Sequence, residues 1–320
     1  KLGNGALNLR GTNTYTGATV IRGGTLDVAE DHNLGAVPAA ASTNVLFMAS
    51  AVLQASASHA LNANRTLWIT NGATATLNSS SATQTIHGVI VCAETNSTFQ
   101  KTGNGMIVLD PGADKVNLFG TLQTTAGTLV IASGTNLVLR PMVLTASFGD
   151  YAYVQSPSEY SAIRVDAATA LAPGAVVSAS GVLASIGGEM RLTGGGVGLF
   201  DAPGAVRALG ISAKSLGGSD ISESWRGVSE GWGPNNVGLL VSVIGEVTRS
   251  DGSDSFFYVM DRVGTTDASG LGIRVYSMNW AKPAIGQLVR VRGISHFREE
   301  GGVRVPELLM QQSGAFDILQ

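Results

Sequence analysis

Short apolar runs with a period of two recur along the first 138 residues of this chain, each closed by turn residues. "NVLFMAS", "AVLQAS", "RTLWIT", "ATATLN" and "GVIVCAE" follow one another in this way. A period of two puts alternate side chains on one face, so each run reads as a short strand with one buried side. Such a strand cannot bury that side alone; stacking successive units does it. One stretch also occurs twice. Lys1-x-Gly3-Asn4-Gly5 returns as Lys101-x-Gly103-Asn104-Gly105, with Leu7 and Leu9 falling on Ile107 and Leu109. After a three-residue insertion, Gly24-Thr25-Leu26-Asp27-Val28 corresponds to Gly127-Thr128-Leu129-Val130-Ile131. Asn-Gly supplies the positive-φ residues of tight turns between strands. The pattern predicts coils of a parallel β-solenoid over residues 1–138, with residues 101–129 an eroded copy of the opening coil.

Composition agrees. Charged residues make up 13% of the 320 residues and Gly 42 of them, a mixture that suits strands and turns and not amphipathic helices. The whole chain is expected to be all-β. A net charge of −3 gives no global basic field for nucleic acid. A single cysteine, Cys92, excludes an internal disulfide framework. No apolar run reaches the ~18 residues of a membrane-spanning helix. The chain opens without a signal peptide, so Lys1 is read as a processed terminus or a fragment boundary.

The stretch "GNGALNLRGTNTYTGATVIRGGTLDV" resembles the autotransporter-associated β-strand repeat of bacterial passenger domains, through its N-T-Y-T-G turn and the following T-x-x-x-G-G-T-L. The segment that follows, with L-G-x-x-P and an N-R before a strand, is similar to the same family, so the resemblance covers about residues 1–138. The second copy departs from it: "PGADKVNLFG" stands in place of N-T-Y-T-G. The resemblance implies a right-handed β-helix, secreted or displayed on the cell surface, and it implies no catalytic residues.

A different repeat follows. Tyr153-Val154 matches Tyr258-Val259, Ala162-Ile163-Arg164-Val165 matches Gly272-Ile273-Arg274-Val275, and Val176, Val177 and Gly181 echo Leu288, Val289 and Gly293. Each unit reads as three strands, a connection, a long strand, a hairpin and a last strand. This order resembles the OB-fold, a five-stranded Greek-key barrel, and OB-like modules of exported bacterial proteins. The expected architecture is a right-handed parallel β-solenoid (1–138) followed by two tandem OB-like β-barrels (139–193 and 237–320). Residues 194–236 are Gly/Ser-rich and read as a connection with one short helix. The first strand of the first barrel falls near "VLRPMVLTAS", continuous with the last coil.

Residues that could carry chemistry are few. His32, His59, His87 and His296 are too far apart for a metal-ligand spacing. Cys92 reads as a buried structural thiol. "TGGGVG" (193–198) lacks the Lys-Ser/Thr of a phosphate loop and reads as a flexible turn. Asp251, Asp254, Asp261 and Asp267 have short spacings that could suit calcium, but no acidic closing residue; solvated hairpin turns are the plainer reading. OB-folds bind oligosaccharides or nucleic acids on strands two and three. Phe256, Phe257, Tyr258, Arg274 and Tyr276 fall there, and Arg290 and Arg292 alternate with Val289 and Val291 so as to face outward. Phe257, Arg274, Tyr276, Arg290 and Arg292 are therefore the candidate ligand residues. Nearby Glu299, Glu300 and Glu307 dilute their charge and argue against nucleic acid. Acids of the solenoid half form no cluster at matching positions on successive coils, so paired-carboxylate cleavage is not expected.

Two readings follow. In the first, the protein is non-enzymatic, extracellular and structural, and needs no cofactor. The uncapped first coil, with Leu2, Leu7 and Leu9, is then an assembly edge for head-to-tail homo-oligomers or a polymer. In the second it is a surface adhesin whose OB-like modules recognise glycan or another polymer.

Overall fold

The computed structural model describes residues 1–112, 114–157, 161–201, 204–262, 269–312 and 314–319. Two compact units divide the chain. One is Lys1–Arg140 with Ser180–Leu183; the other is Pro141–Ala179 with Ala184–Gln320. Apart from two short 3-10 turns, all the described regular structure is β.

In the first unit, parallel strands stack into three sheets. Sheet A holds β1 (Ala6–Leu9), β3 (Thr25–Val28), β5 (Ala51–Ala55), β8 (Thr74–Ser79), β11 (Thr98–Thr102) and β14 (Thr121–Thr124). Sheet B runs through β2 (Thr19–Ile21), β4 (Ser42–Phe47), β7 (Arg65–Ile69), β10 (Ile90–Cys92), β13 (Val116–Phe119) and β16 (Asn136–Ser147). Sheet C stacks β6 (His59–Leu61), β9 (Thr83–Ile86), β12 (Met106–Leu109) and β15 (Thr128–Ile131). The chain visits A, C and B in turn, so each circuit adds one rung to a β-solenoid. On the second circuit a 3-10 turn, Asp31–Leu34, stands where sheet C has its strands in later rungs.

Register puts like on like. Leu7, Leu26, Leu53 and Leu77 form one inward column of sheet A, and Ile21, Phe47, Ile69 and Cys92 one of sheet B. Below the first rung these side chains are fully buried. The outward columns differ by sheet. Thr25, Val52, Thr76, Gln100 and Gln123 line sheet A, whereas Val20, Leu46, Trp68, Val91, Leu118 and Val138 line sheet B.

The two copies of the Lys-x-Gly-Asn-Gly stretch do not stack on one another. The first leads into β1 of sheet A, the second into β12 of sheet C. What they share is a two-rung unit: β1 pairs β3, and β12 pairs β15, so each Gly-Asn-Gly turn meets the Gly-Thr-Leu of the next rung.

The second unit contains two groups of strands with one pairing scheme. In the first, β17 (Ala152–Gln155), β18 (Ala162–Val165), β20 (Glu189–Asp201), β19 (Val176–Ile186) and β16 lie in that order, and β17 also pairs β16. In the second, β22 (Leu240–Ser250), β23 (Phe256–Met260), β24 (Ile273–Tyr276), β26 (Val303–Met310) and β25 (Leu288–Glu300) lie in that order and β22 also pairs β25, so the same five pairings recur with β22 in the place of β16. Short strands β21 (Leu209–Gly210) and β27 (Phe316–Ile318) flank this group. Tyr153 pairs across to Arg164 just as Tyr258 pairs to Arg274, so the repeat seen in the sequence is repeated in register. As the sequence suggests, β16 belongs both to the last rung and to the first group. The "TGGGVG" stretch is not a free turn but lies inside β20, where backbone pairing can hold residues that have no side chain to pack. The helix expected between the two groups is a single 3-10 turn, Ala213–Ser215.

Candidate functional site

Stacked rungs bring turn carbonyls of successive circuits together at the corners, and basic side chains fill these places. The Lys1 ammonium donates to Leu2 O (3.1 Å), Gly3 O (2.7 Å) and, one rung on, Gly23 O (2.8 Å). The Lys101 ammonium donates to Thr102 O (2.6 Å), Gly103 O (2.6 Å) and Ala126 O (3.2 Å). The acceptors match position for position. The following glycine is required at both corners: a Cβ on Gly24 would lie 2.3 Å from Gly5 O, and one on Gly127 would lie 2.2 Å from Gly103 O. The repeated stretch is therefore a corner in which one lysine clamps two rungs. Lys101 pairs with Leu77 and so continues a leucine column; it is fully buried, and burial pulls its ammonium below the usual lysine range.

Three more cations work alike. Lys115 reaches Ala63 O at 2.8 Å, across two rungs. Arg65, 0% exposed, donates to Leu34 O and Gly35 O, to the Asn44 side chain and to the Asp31 carboxylate (2.7 Å), and so fixes the 3-10 turn to sheet B. Arg10 joins Leu9 O, Asp27 O and the Asp27 carboxylate. At the first rung Leu7 and Leu9 continue the inward columns of Leu26 and Val28, with Leu7 43% and Leu2 75% exposed.

The candidate ligand residues separate into three places. Phe257 is 0% exposed, inside the core of the second strand group, and cannot belong to a surface; the alternation of β23 puts Phe256 and Tyr258 on its other face, where Phe256 is half-buried and Tyr258 buried. Phe256 pairs with Tyr276 and Tyr258 with Arg274, so these four share a face. Arg274 lies 5.1 Å over the Phe256 ring and donates to Glu307 at 2.6 Å. Burial pushes the Glu307 carboxyl up, but His296 at 3.5 Å and Arg274 outweigh it and hold the carboxyl below its usual range. Tyr276 packs against the cluster of Tyr153, Leu240, Ile294 and Leu309, between the two strand groups. Arg290 and Arg292 sit on β25, beyond β26 from that face, and both turn to Asp317.

The first group holds a network that spacing did not reveal. The Tyr153 hydroxyl donates to Glu189 Oε1 at 2.6 Å, and Arg191 and Arg164 stand 3.1 and 3.6 Å from Glu189 Oε2. Burial, then the Glu189 charge, drives the Tyr153 phenol well above its normal value. Arg164 also stacks 3.7 Å from the Tyr151 ring centroid, as Arg274 does on Phe256. The matched aromatic-x-Tyr stretches (151–153 and 256–258) and the matched arginines were the available signal; Glu189 was not, because it sits two residues from the position paired with Arg164.

Asp251 accepts from Ser253 N and Oγ, closing its own turn, and Asp254 pairs with Arg249 at 2.8 Å. Asp261 is also engaged, and Asp267 lies outside the described residues. Among the described residues no three His, Cys, Asp or Glu side chains converge as a metal site. Cys92 is buried in the sheet B column, and burial raises its thiol. No helix among the described residues is long and apolar enough to cross a membrane.

Residues 1–28 match a family described as the passenger-associated-transport-repeat. The match ends with β3, and so takes in the first lysine corner and the glycine it needs. No curated protein and no solved structure matches the chain.

Proposed function

We propose that this chain is part of an exported bacterial surface protein with a structural role, in which the solenoid is a rigid shaft that associates through exposed strand edges. The observation that carries this reading is the corner chemistry. The passenger-type repeat at residues 1–28 contains a lysine clamp, the same clamp recurs a hundred residues on, and most cations of the solenoid are bound to the backbone of neighbouring rungs. Charge used this way stiffens a shaft and leaves its outer faces neutral. Display is tested on intact producing cells with an antibody against residues 1–138 and with external protease. Labelling and cleavage are expected. Signal only after lysis would overturn the surface reading.

A second reading concerns the strand groups. We read both as OB-like modules, supported by a first strand that pairs with the second and the fourth in each group. The stacked Phe256 and Arg274 of the second group then favour binding of a glycan there. A glycan array with wild type and Phe256→Ala tests it. Binding lost in the variant supports the reading, and no binding by wild type removes it.

A further inference from the structure

The connection between the two strand groups is a built loop and not a slack linker. It lies wholly in the second unit. Its segments cross at Gly218: Val228 N–H donates to Gly218 O, and the next residue, Ser219, donates its N–H to Gly233 O, both at 3.0 Å. A side chain on Gly218 would run into Pro234 O, and one on Gly231 into Gly218 O. Asn236 is buried, accepts from Gly217 N–H and donates to Ser215 O. Asp220 accepts from Gly227 N–H at 2.8 Å, and both its oxygens meet Arg304 of β26 at 3.0 Å. The loop is thereby fixed to itself and to β26.

This loop holds an indole out in water. Trp68, Trp225 and Trp280 are half-buried, whereas Trp232 is 60% exposed. An exposed tryptophan forgoes one of the largest burial gains that a side chain offers. Two residues before it, Glu230 has a φ of 56°, a left-handed conformation that is unfavourable for a residue with a side chain. Beside the indole stands a lysine unlike the others. Lys1, Lys101, Lys115 and Lys282 all donate to main-chain oxygens. Lys214, exposed on the 3-10 turn Ala213–Ser215, has no oxygen partner among the described residues; its ammonium stands 5.6 Å over the Trp232 ring.

We propose that Trp232 and Lys214 bind an acidic saccharide, a pyranose that carries a carboxylate. The carboxylate draws the ammonium off the ring into a charge-assisted hydrogen bond. The face that it leaves accepts the apolar C–H side of the sugar. Charge selects the acid, because the lysine that lacks an oxygen acceptor is the one at the exposed indole. Shape selects the saccharide. A peptide is held by an open strand edge or by pockets for its side chains, but here backbone groups of the loop bond one another, and Gly231 and Gly233 flank the ring. A nucleic acid needs a row of cations for its phosphates, but residues 211–238 set Lys214 and Arg226 against Asp220, Glu223 and Glu230. The site shares no residue with the stacked Phe256 and Arg274.

The test is equilibrium binding of the full 320-residue chain to uronic-acid and sialic-acid oligosaccharides, beside neutral oligosaccharides of equal length. Wild type should bind an acidic oligosaccharide about tenfold more tightly than its neutral counterpart, and more weakly as salt rises. Trp232→Ala should weaken that binding about tenfold, and Lys214→Met should abolish the preference for the acid. Both side chains are exposed, so the far-UV spectrum and Tm should not change. Phe256→Ala should leave this binding as it is, which separates the site from the glycan reading above. A wild type that binds no acidic oligosaccharide, or that binds neutral ones as tightly, overturns the inference. So does acid binding that survives Trp232→Ala, a preference that survives Lys214→Met, or a loss in Phe256→Ala. Binding of polyglutamate or oligothymidylate that is as tight and as dependent on Trp232 would assign the site to peptide or nucleic acid and overturn it too. If Trp232→Ala does not fold, the Lys214→Met preference decides alone.

Discussion

The two units use the same cations differently. In the solenoid, lysines and arginines mostly bind main-chain oxygens: Lys1 and Lys101 hold three carbonyls each, Lys115 reaches back two rungs, and Arg65 joins three carbonyls to one carboxylate. In the second unit the partners are chiefly carboxylates, as in Arg164–Asp166, Arg191–Glu189, Arg274–Glu307 and Arg304–Asp220. Geometry explains the contrast. A parallel rung leaves its strand at a corner, and the freed carbonyls of successive corners converge on one place. Strands joined by hairpins keep their carbonyls in the ladder, so charged side chains there meet one another, along a strand (Arg191–Glu189), across strands (Arg274–Glu307) or from strand to loop (Arg304–Asp220). Corner cations hold rungs together; the carboxylate pairs of the second unit neutralise charge within strand groups that the ladder already holds.

If that contrast is right, losing a corner cation should cost most. Arg65→Met removes a fully buried guanidinium that bonds three main-chain carbonyls, Asn44 and the Asp31 carboxylate, which keeps only the bond from Asn62 N–H; the loss should be about 3–5 kcal/mol in urea unfolding. A smaller loss in a folded protein would mean that water replaces the clamp. Lys101→Met comes next, because the side chain keeps its length in a leucine column while three carbonyls lose their donor; about 2 kcal/mol is expected. An unchanged midpoint would show that the clamp adds nothing beyond packing.

The solenoid was legible because its signal is local. Alternation in "RTLWIT" or "ATATLN" states which side chains point inward, and β7 and β8 follow it residue by residue. The lysine clamp was visible as an echo but not interpretable, because its acceptor Ala126 lies a rung away from Lys101 and carbonyls leave no trace in side-chain spacing. Phe257 shows the opposite limit. Alternation says that β23 has two faces, but not which one the core takes; the packing of the strand group decides that. Glu189 was illegible for a third reason, since it meets Tyr153 and Arg191 only after strands from distant parts of the chain pair.

Cross-strand pairs should cost less. Tyr153→Phe leaves Glu189 Oε1 without its donor, although two arginines remain near the carboxylate; about 1–2 kcal/mol is expected from thermal unfolding. A loss as large as that for Arg65 would erase the distinction between the units.

The mildest probe is pH. The Glu307 carboxyl is held below its usual range in the folded chain, so the unfolded chain takes up its proton first as pH falls. Its contribution to stability is therefore complete above the unfolded carboxylate range and is lost as pH falls through the lower, folded value. The Lys101 ammonium shifts in the other sense for a base: burial lowers it, the unfolded chain holds the proton longer, and stability should rise as pH climbs through the alkaline window just below the normal lysine value. Wild type should thus lose stability on the acid side through Glu307 and gain a little on the alkaline side through Lys101. Glu307→Gln should flatten the first limb alone and Lys101→Met the second alone, measured as Tm against pH. If either variant altered both limbs, corner cation and cross-strand pair would be coupled, and the contrast between the two units would fail.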